Sequence, residues 1–193
     1  IDACKQHERH SGGHSWGYAV SDGTKLELFK QTGTIDRFKM APQAQAALVH
    51  TRLATQGAVT QENAHPFLMT WDGDVRTDGA RVEQAELPGT DGQGARTAAL
   101  GHNGTWHEAP TGDSDRCDSY FIARDLEQRL RDGQALREAV GATGDKTGET
   151  FIVLTDTARC FVHSGRFSIT MQDDVVQSSD LSDEIERGRV VEL

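Results

Sequence analysis

Short apolar runs, separated by polar stretches rich in glycine, set the rhythm of this chain. Ala46-Ala47-Leu48-Val49, Ala98-Ala99-Leu100 and Phe151-Ile152-Val153-Leu154 are each too short for an ordinary helix and are flanked by turn residues. That pattern predicts buried strands. Leu26-Glu27-Leu28-Phe29 alternates and follows Ser21-Asp22-Gly23-Thr24, so it reads as the return of an earlier strand over 16–20. Ile122, Leu126 and Leu130 recur at i, i+4 and i+8 and predict an amphipathic helix over 120–131, which Gly133 ends. A further short helix is expected over 136–140. Strands are expected over 150–154, 158–163, 167–171, 175–177 and 189–193. Ile1 and Cys4 share a helical face, and 40–46 reads as a short helix with Pro42 in its first turn. Residues 68–99 form a long polar excursion. Its Asp-Gly run is too short and irregular for a calcium loop. With no repeat and no internal linker, the order of strands, helices, then strands predicts one α+β domain over 1–193, helices layered on antiparallel sheets.

Composition narrows the partners. The chain has 193 residues and a formal net charge of -10, which argues against nucleic acid or an anionic membrane surface. No apolar run approaches the length that crosses a bilayer, and no signal peptide is visible. Cys4, Cys117 and Cys160 are an odd number without paired spacing. They predict a reducing, cytoplasmic setting, and they supply no zinc motif. Lysine occurs at only five positions, so arginine dominates the basic side chains of an acidic chain. That balance suits concentrated salt, where screening relieves carboxylate repulsion. A halophilic protein is therefore expected to unfold on dilution into low salt; full stability there would remove the idea. The histidines at 7, 10, 14, 102 and 107 invite a metal-hydrolase reading, but the partners of a closed site are missing. No metal and no cofactor is expected.

The candidate chemistry gathers at three junctions between strand and turn. Arg52 ends a buried strand, where a guanidinium can grip a carboxylate with two parallel hydrogen bonds. Asn103 and the Gly104 amide follow another strand and can aim two donors at one oxygen, as an oxyanion hole requires. Asp118 stands at a helix start and can hold an ammonium group. Together these grips suit an α-amino acid whose side-chain carbonyl is attacked, and free glutamine is the obvious candidate.

The motifs HTRLATQG (50–57), ENAHPF (62–67), GHNG (101–104) and CDS (117–119) resemble the glutaminase domain of class II glutamine amidotransferases, which are N-terminal-nucleophile hydrolases. Gly13-His14-Ser15-Trp16-Gly17 resembles an early loop of that family. The resemblance spans about 10–165 and is nearest to small stand-alone members. It implies a four-layer αββα sandwich, with Arg52 on the α-carboxylate of glutamine and Asp118 on its α-amine. Asn103 and Gly104 would form the oxyanion hole, and Thr55, Gln56 and His65 would line the pocket. Leu53 departs from the tryptophan of some members, and the 68–99 excursion is longer than usual.

The family nucleophile is an N-terminal cysteine, which forms a thioester with the substrate acyl group. This chain starts with Ile1. Cys4 is the substitute within it, but the short interval to Trp16 leaves no room for the usual strand and helix. The catalytic cysteine and first strand are therefore expected upstream of Ile1, while Cys117 and Cys160 read as packing cysteines. The enzyme reading implies glutamine or a γ-glutamyl small molecule as substrate and an ammonia-accepting synthase or assembly partner. The alternative is a catalytically inactive member of the fold that serves as a structural or ligand-binding module.

Overall fold

The computed structural model describes residues 4–5, 8–9, 13–35, 38, 42–71, 96–112, 114–167, 169–172, 175–178 and 189–192. Residues 4–5 and 8–9 are helical, so the helix expected over 1–8 extends to Arg9. His7, His10 and most of the long excursion (72–95) lie outside the described residues.

The first sheet pairs β1 (Ser15–Ser21) with β2 (Leu26–Thr32) and β3 (Ala46–Arg52), both antiparallel, in the order β2-β1-β3. Its register sets Ser15 opposite Arg52 and Tyr18 opposite Val49. Gly17 has to be glycine, because a Cβ there would overlap the carbonyl oxygens of His65 and Phe29. The 62–67 segment can therefore lie directly on β1.

The second sheet contains β4 (Phe67–Thr70), β5 (Thr97–Asn103), β6 (Thr150–Thr155), β7 (Cys160–Ser164) and a last strand at Arg189–Glu192. A separate two-stranded ladder joins β8 (Ile169–Gln172) to β9 (Val175–Ser178), so the last strand is β10. Sheet order is β10-β7-β6-β5-β4, all antiparallel. The ends of the expected excursion are thus ladder: Leu68 pairs with Ala99 and Thr70 with Thr97. Phe67 to Thr70 is buried throughout, so its side chains show none of the alternation that marks a half-buried strand.

Two helices cover the second sheet, α1 (Asp118–Arg131) and α2 (Leu136–Thr147). Ile122, Leu126 and Leu130 pack on Phe67, Met69, Leu100, Phe151 and Val153. A second core lies between the sheets, where Ala19, Leu26, Leu28 and Leu48 meet Leu68, Ala99 and Leu154. The α2 helix runs seven residues beyond the expected 136–140, through Gly141 and Gly144. The reason is tertiary: a Cβ at Gly144 would overlap the His163 ring, so packing offsets the poor helix propensity of glycine. Gly148, in the left-handed region at φ 68°, ends it.

The expected helix over 40–46 does not form in its described part. Residues 42–45 turn, and Ala46 already begins β3, since Gln45 donates its amide to the Ser21 carbonyl at 2.8 Å. The described layers are helices, second sheet and first sheet, a mixed and sheet-rich α+β arrangement. Among the described residues no helix is long and apolar enough to cross a membrane.

Candidate active site

The C-terminal ends of β3 and β5 and the start of α1 meet at one end of the sheets, and a set of hydrogen bonds ties them together. Thr55 Oγ1, just past β3, lies 3.0 Å from Thr105 Oγ1, just past β5. Asp118 Oδ2 accepts the Trp106 amide at 2.8 Å, and Oδ1 accepts the Ser119 amide at 2.9 Å. Ala58 donates its amide to the Asp115 carbonyl at 3.1 Å. The loop after Arg52, the turn at Gly104 and the Asp118 helix start therefore form one cluster.

Arg52 is buried, and its fork holds its own loop: Nη2 donates to the Gln56 carbonyl and Nη1 to the Ala58 carbonyl at 3.5 Å. Thr55 is exposed and Gln56 half-buried, so the loop presents a rim above the guanidinium. Gly57, at φ 72°, lets this loop touch the 116–117 backbone, where a Cβ would meet Cys117 N at 2.7 Å. Asn103 donates its side-chain amide to Ser178 Oγ at 3.1 Å, which brings the β8–β9 ladder to the same end. Gly104 takes φ 142°, and a Cβ there would overlap Glu149 Oε2.

Beneath this cluster lies a set of histidines, His65 and His102 buried and His50 half-buried. His50 Nε2 donates to the His102 carbonyl at 2.8 Å. A carbonyl only accepts, so His50 Nδ1 is the acceptor for His65 Nδ1–H, 2.9 Å away. His65 is thus a floor residue, not part of the rim. Burial, and then the neighbouring His50 and His102, hold its imidazole well below the usual histidine range. The unfolded ring titrates near 6.5. Below that pH the unfolded chain takes up a proton that native His65 refuses, so stability falls as the pH drops. The slope is up to about 1.4 kcal/mol per pH unit until the native ring is itself protonated. Urea unfolding at pH 7.5 and 5.5 is expected to show a smaller loss in His65→Gln than in the wild type. Equal losses would remove the assignment.

Two residues that sequence reasoning missed support the floor. Lys30 is buried beneath the ENAHPF segment; its ammonium donates to the Ala64 carbonyl at 2.8 Å and lies over the Phe67 ring, 4.7 Å from its centroid. Burial lowers its pKa to about 8. Asn63 donates to the Ala58 carbonyl at 2.9 Å and the Asp115 carbonyl at 2.6 Å, and accepts the Cys117 amide at 3.1 Å. Asn63 was legible as part of a motif, though its role as a clasp between loops was not. Nothing in the sequence marks Lys30, which sits in an alternating strand.

Burial raises the half-buried Cys4 thiol and pushes Cys160 up to about 11, so neither is activated as a nucleophile. Cys117 is buried under the Asn63 clasp. His14, one of the histidines considered for metal, accepts the Ala54 amide at 2.9 Å and so braces the loop after Arg52. Among the described residues no group of three or more His, Cys, Asp or Glu side chains is placed to hold a metal ion.

No family model matches the chain, and no curated protein matches it either. Solved structures do. A structure described as the allosteric regulatory enzyme of purine biosynthesis is 21% identical, with a TM-score of 0.59. Glutamine phosphoribosylpyrophosphate amidotransferase from B. subtilis, complexed with ADP and GMP, is 21% identical with a TM-score of 0.58. Each alignment covers 90% of this chain and 37% of the other, so this chain spans little more than a third of the length of either. At that identity the likeness is one of fold: the chain folds like a part of these two enzymes.

Proposed function

We propose that the protein containing this chain hydrolyses the side-chain amide of glutamine, or of a γ-glutamyl compound, as a class II glutamine amidotransferase of the small stand-alone type with a four-layer αββα fold. The observation that carries this reading is the Asp118 carboxylate bonded to the Trp106 amide, two residues beyond Gly104, with Thr55 hydrogen-bonded to Thr105 on the other side. On this reading the carboxylate grip, the oxyanion turn and the ammonium grip act on one substrate. Arg52 binds the α-carboxylate with N–H groups beyond those that hold its loop, and Thr55 and Gln56 flank it. Asp118 binds the α-ammonium, and His65 supports the floor. A thiolate attacks the side-chain carbonyl, and Asn103 Nδ2–H and the Gly104 amide stabilise the oxyanion. Ammonia leaves, to be taken up by a synthase partner, and water cleaves the thioester to release glutamate.

The nucleophile is a cysteine thiol other than Cys4, because burial moves the Cys4 thiol in the wrong direction for a nucleophile. The expected result is glutamate release from L-glutamine by the full-length protein, lost after treatment with iodoacetamide. A full-length protein that binds glutamine without releasing glutamate would replace this reading with the second one, a ligand-binding module.

A further inference from the structure

Glu149 belongs to no motif, yet it sits under the centre of the site. It follows the C-terminus of α2, is 2% exposed, and its Oε2 makes no hydrogen bond. That oxygen faces His102 Nε2 at 3.5 Å, and this nitrogen is likewise buried without a hydrogen bond. The other ring nitrogen, His102 Nδ1, lies 2.8 Å from Ser119 Oγ. Ser119 Oγ is in turn 3.4 Å from Asp118 Oδ1. Four side chains from two elements and one loop thus lie in a row, Glu149 to His102 to Ser119 to Asp118.

The order of acceptors and donors along this row matters. A carboxylate can only accept, so Glu149 draws the imidazole proton to Nε2. Nδ1 then has no proton and accepts the Ser119 hydroxyl. The single hydroxyl proton goes to the 2.8 Å contact with Nδ1 over the 3.4 Å contact with Asp118 Oδ1, which keeps lone pairs for an incoming cation beside its bond from the Ser119 amide. Without Glu149 the imidazole proton can move to Nδ1. Ser119 then points its hydroxyl at Asp118 Oδ1 and competes with the ligand. Ser, His and Glu in a row also have the connectivity of a nucleophile, a base and its orienter. Ser119 is 2% exposed, however, and its hydroxyl is held by His102 Nδ1, so it does not reach a substrate carbonyl.

We infer that Glu149 is a positioning residue that sets the His102 tautomer and so holds the Ser119 hydroxyl off the ammonium-binding carboxylate of Asp118. This role rests on the glutamine reading above. Its test uses the full-length protein with Glu149→Ala, Ser119→Ala and the double variant. Steady-state KM and kcat for L-glutamine are measured with the inhibition constant of 4-carbamoylbutanoate, the same molecule without its α-amine.

Glu149→Ala is expected to raise the glutamine KM about tenfold, the size of one competing hydrogen bond to a charged group, with kcat and the inhibition constant little changed. Ser119→Ala alone is expected to stay within about twofold of the wild type, and the double variant to return to that range, since the competing hydroxyl is gone. Should Glu149→Ala fail to fold, Glu149→Leu fills a similar volume without an acceptor and enters the same comparison. An unchanged KM, an equal loss for both compounds, or a double variant as impaired as Glu149→Ala would overturn the role while leaving the glutamine reading intact. A wild type that acts on no glutamine defeats the reading itself, and this role with it.

Discussion

Gly104→Ala is expected to lower kcat/KM for glutamine by about a thousandfold or more, the scale of losing an oxyanion donor with part of its supporting geometry. Gly104 adopts φ 142°, a region that L side chains rarely enter, and a Cβ would overlap Glu149 Oε2 while lying 3.1 Å from His102 Nε2. The Glu149 carboxylate, the unbonded end of a long side chain, can move aside, but the backbone conformation stays unfavourable to any side chain. Relief of that strain comes from the 103–105 backbone, which swings the Gly104 amide and the Asn103 side chain away from a shared target. Strain and overpacking together are expected to lower stability by roughly 2–4 kcal/mol. Kinetics at a temperature where urea curves show the variant folded separate the two effects. A variant that folds and keeps wild-type kcat would remove Gly104 from the oxyanion hole.

Asn63→Ala is expected to be the most destabilising single change at the site, by roughly 3–5 kcal/mol. Asn63 is 1% exposed and satisfies two carbonyls and one amide. Truncation orphans the Cys117 amide, which costs about 1–3 kcal/mol, and takes one donor each from the Ala58 and Asp115 carbonyls, which keep the Thr60 and Ala58 amides, at about 1 kcal/mol per lost bond. The site feels the loss as well. Ala58 belongs to the loop that Arg52 holds, and Asp115 and Cys117 precede Asp118. Without the clasp the carboxylate grip and the ammonium grip no longer keep a fixed separation, so the glutamine KM is expected to rise at least about tenfold even where the variant is folded. Urea unfolding midpoints and KM at low temperature check both parts. A loss below about 1 kcal/mol would mean that the clasp is replaceable by water.

Much of the fold was legible in the chain. Apolar runs at 46–49, 98–100 and 151–154 are β3, β5 and β6, and the stripe of Ile122, Leu126 and Leu130 is the buried face of α1. These elements bury one face or both, and burial writes a period into the sequence. Three features were not legible. The β4 strand is buried on both faces and merged with the polar segment after it. The α2 helix contains glycines that only the His163 contact explains. The turn at 42–45 is fixed by a bond to Ser21, a partner more than twenty residues away.

The candidate site divides the same way. Arg52, Asn103, Gly104 and Asp118 were legible because they stand where a strand or helix ends, and such ends are marked locally by glycine and polar residues. The sequence by itself determined which side chains are carried to those ends, and of what chemical kind. Only the tertiary structure decided what lies beneath them: that His65 rests on His50, that Lys30 and Asn63 fasten the ENAHPF segment, and that Glu149 reaches His102 under Gly104. A strand or helix end is a property of neighbours along the chain. A buried polar group is satisfied by whichever partner the packed sheets bring to it, and no local pattern records that choice.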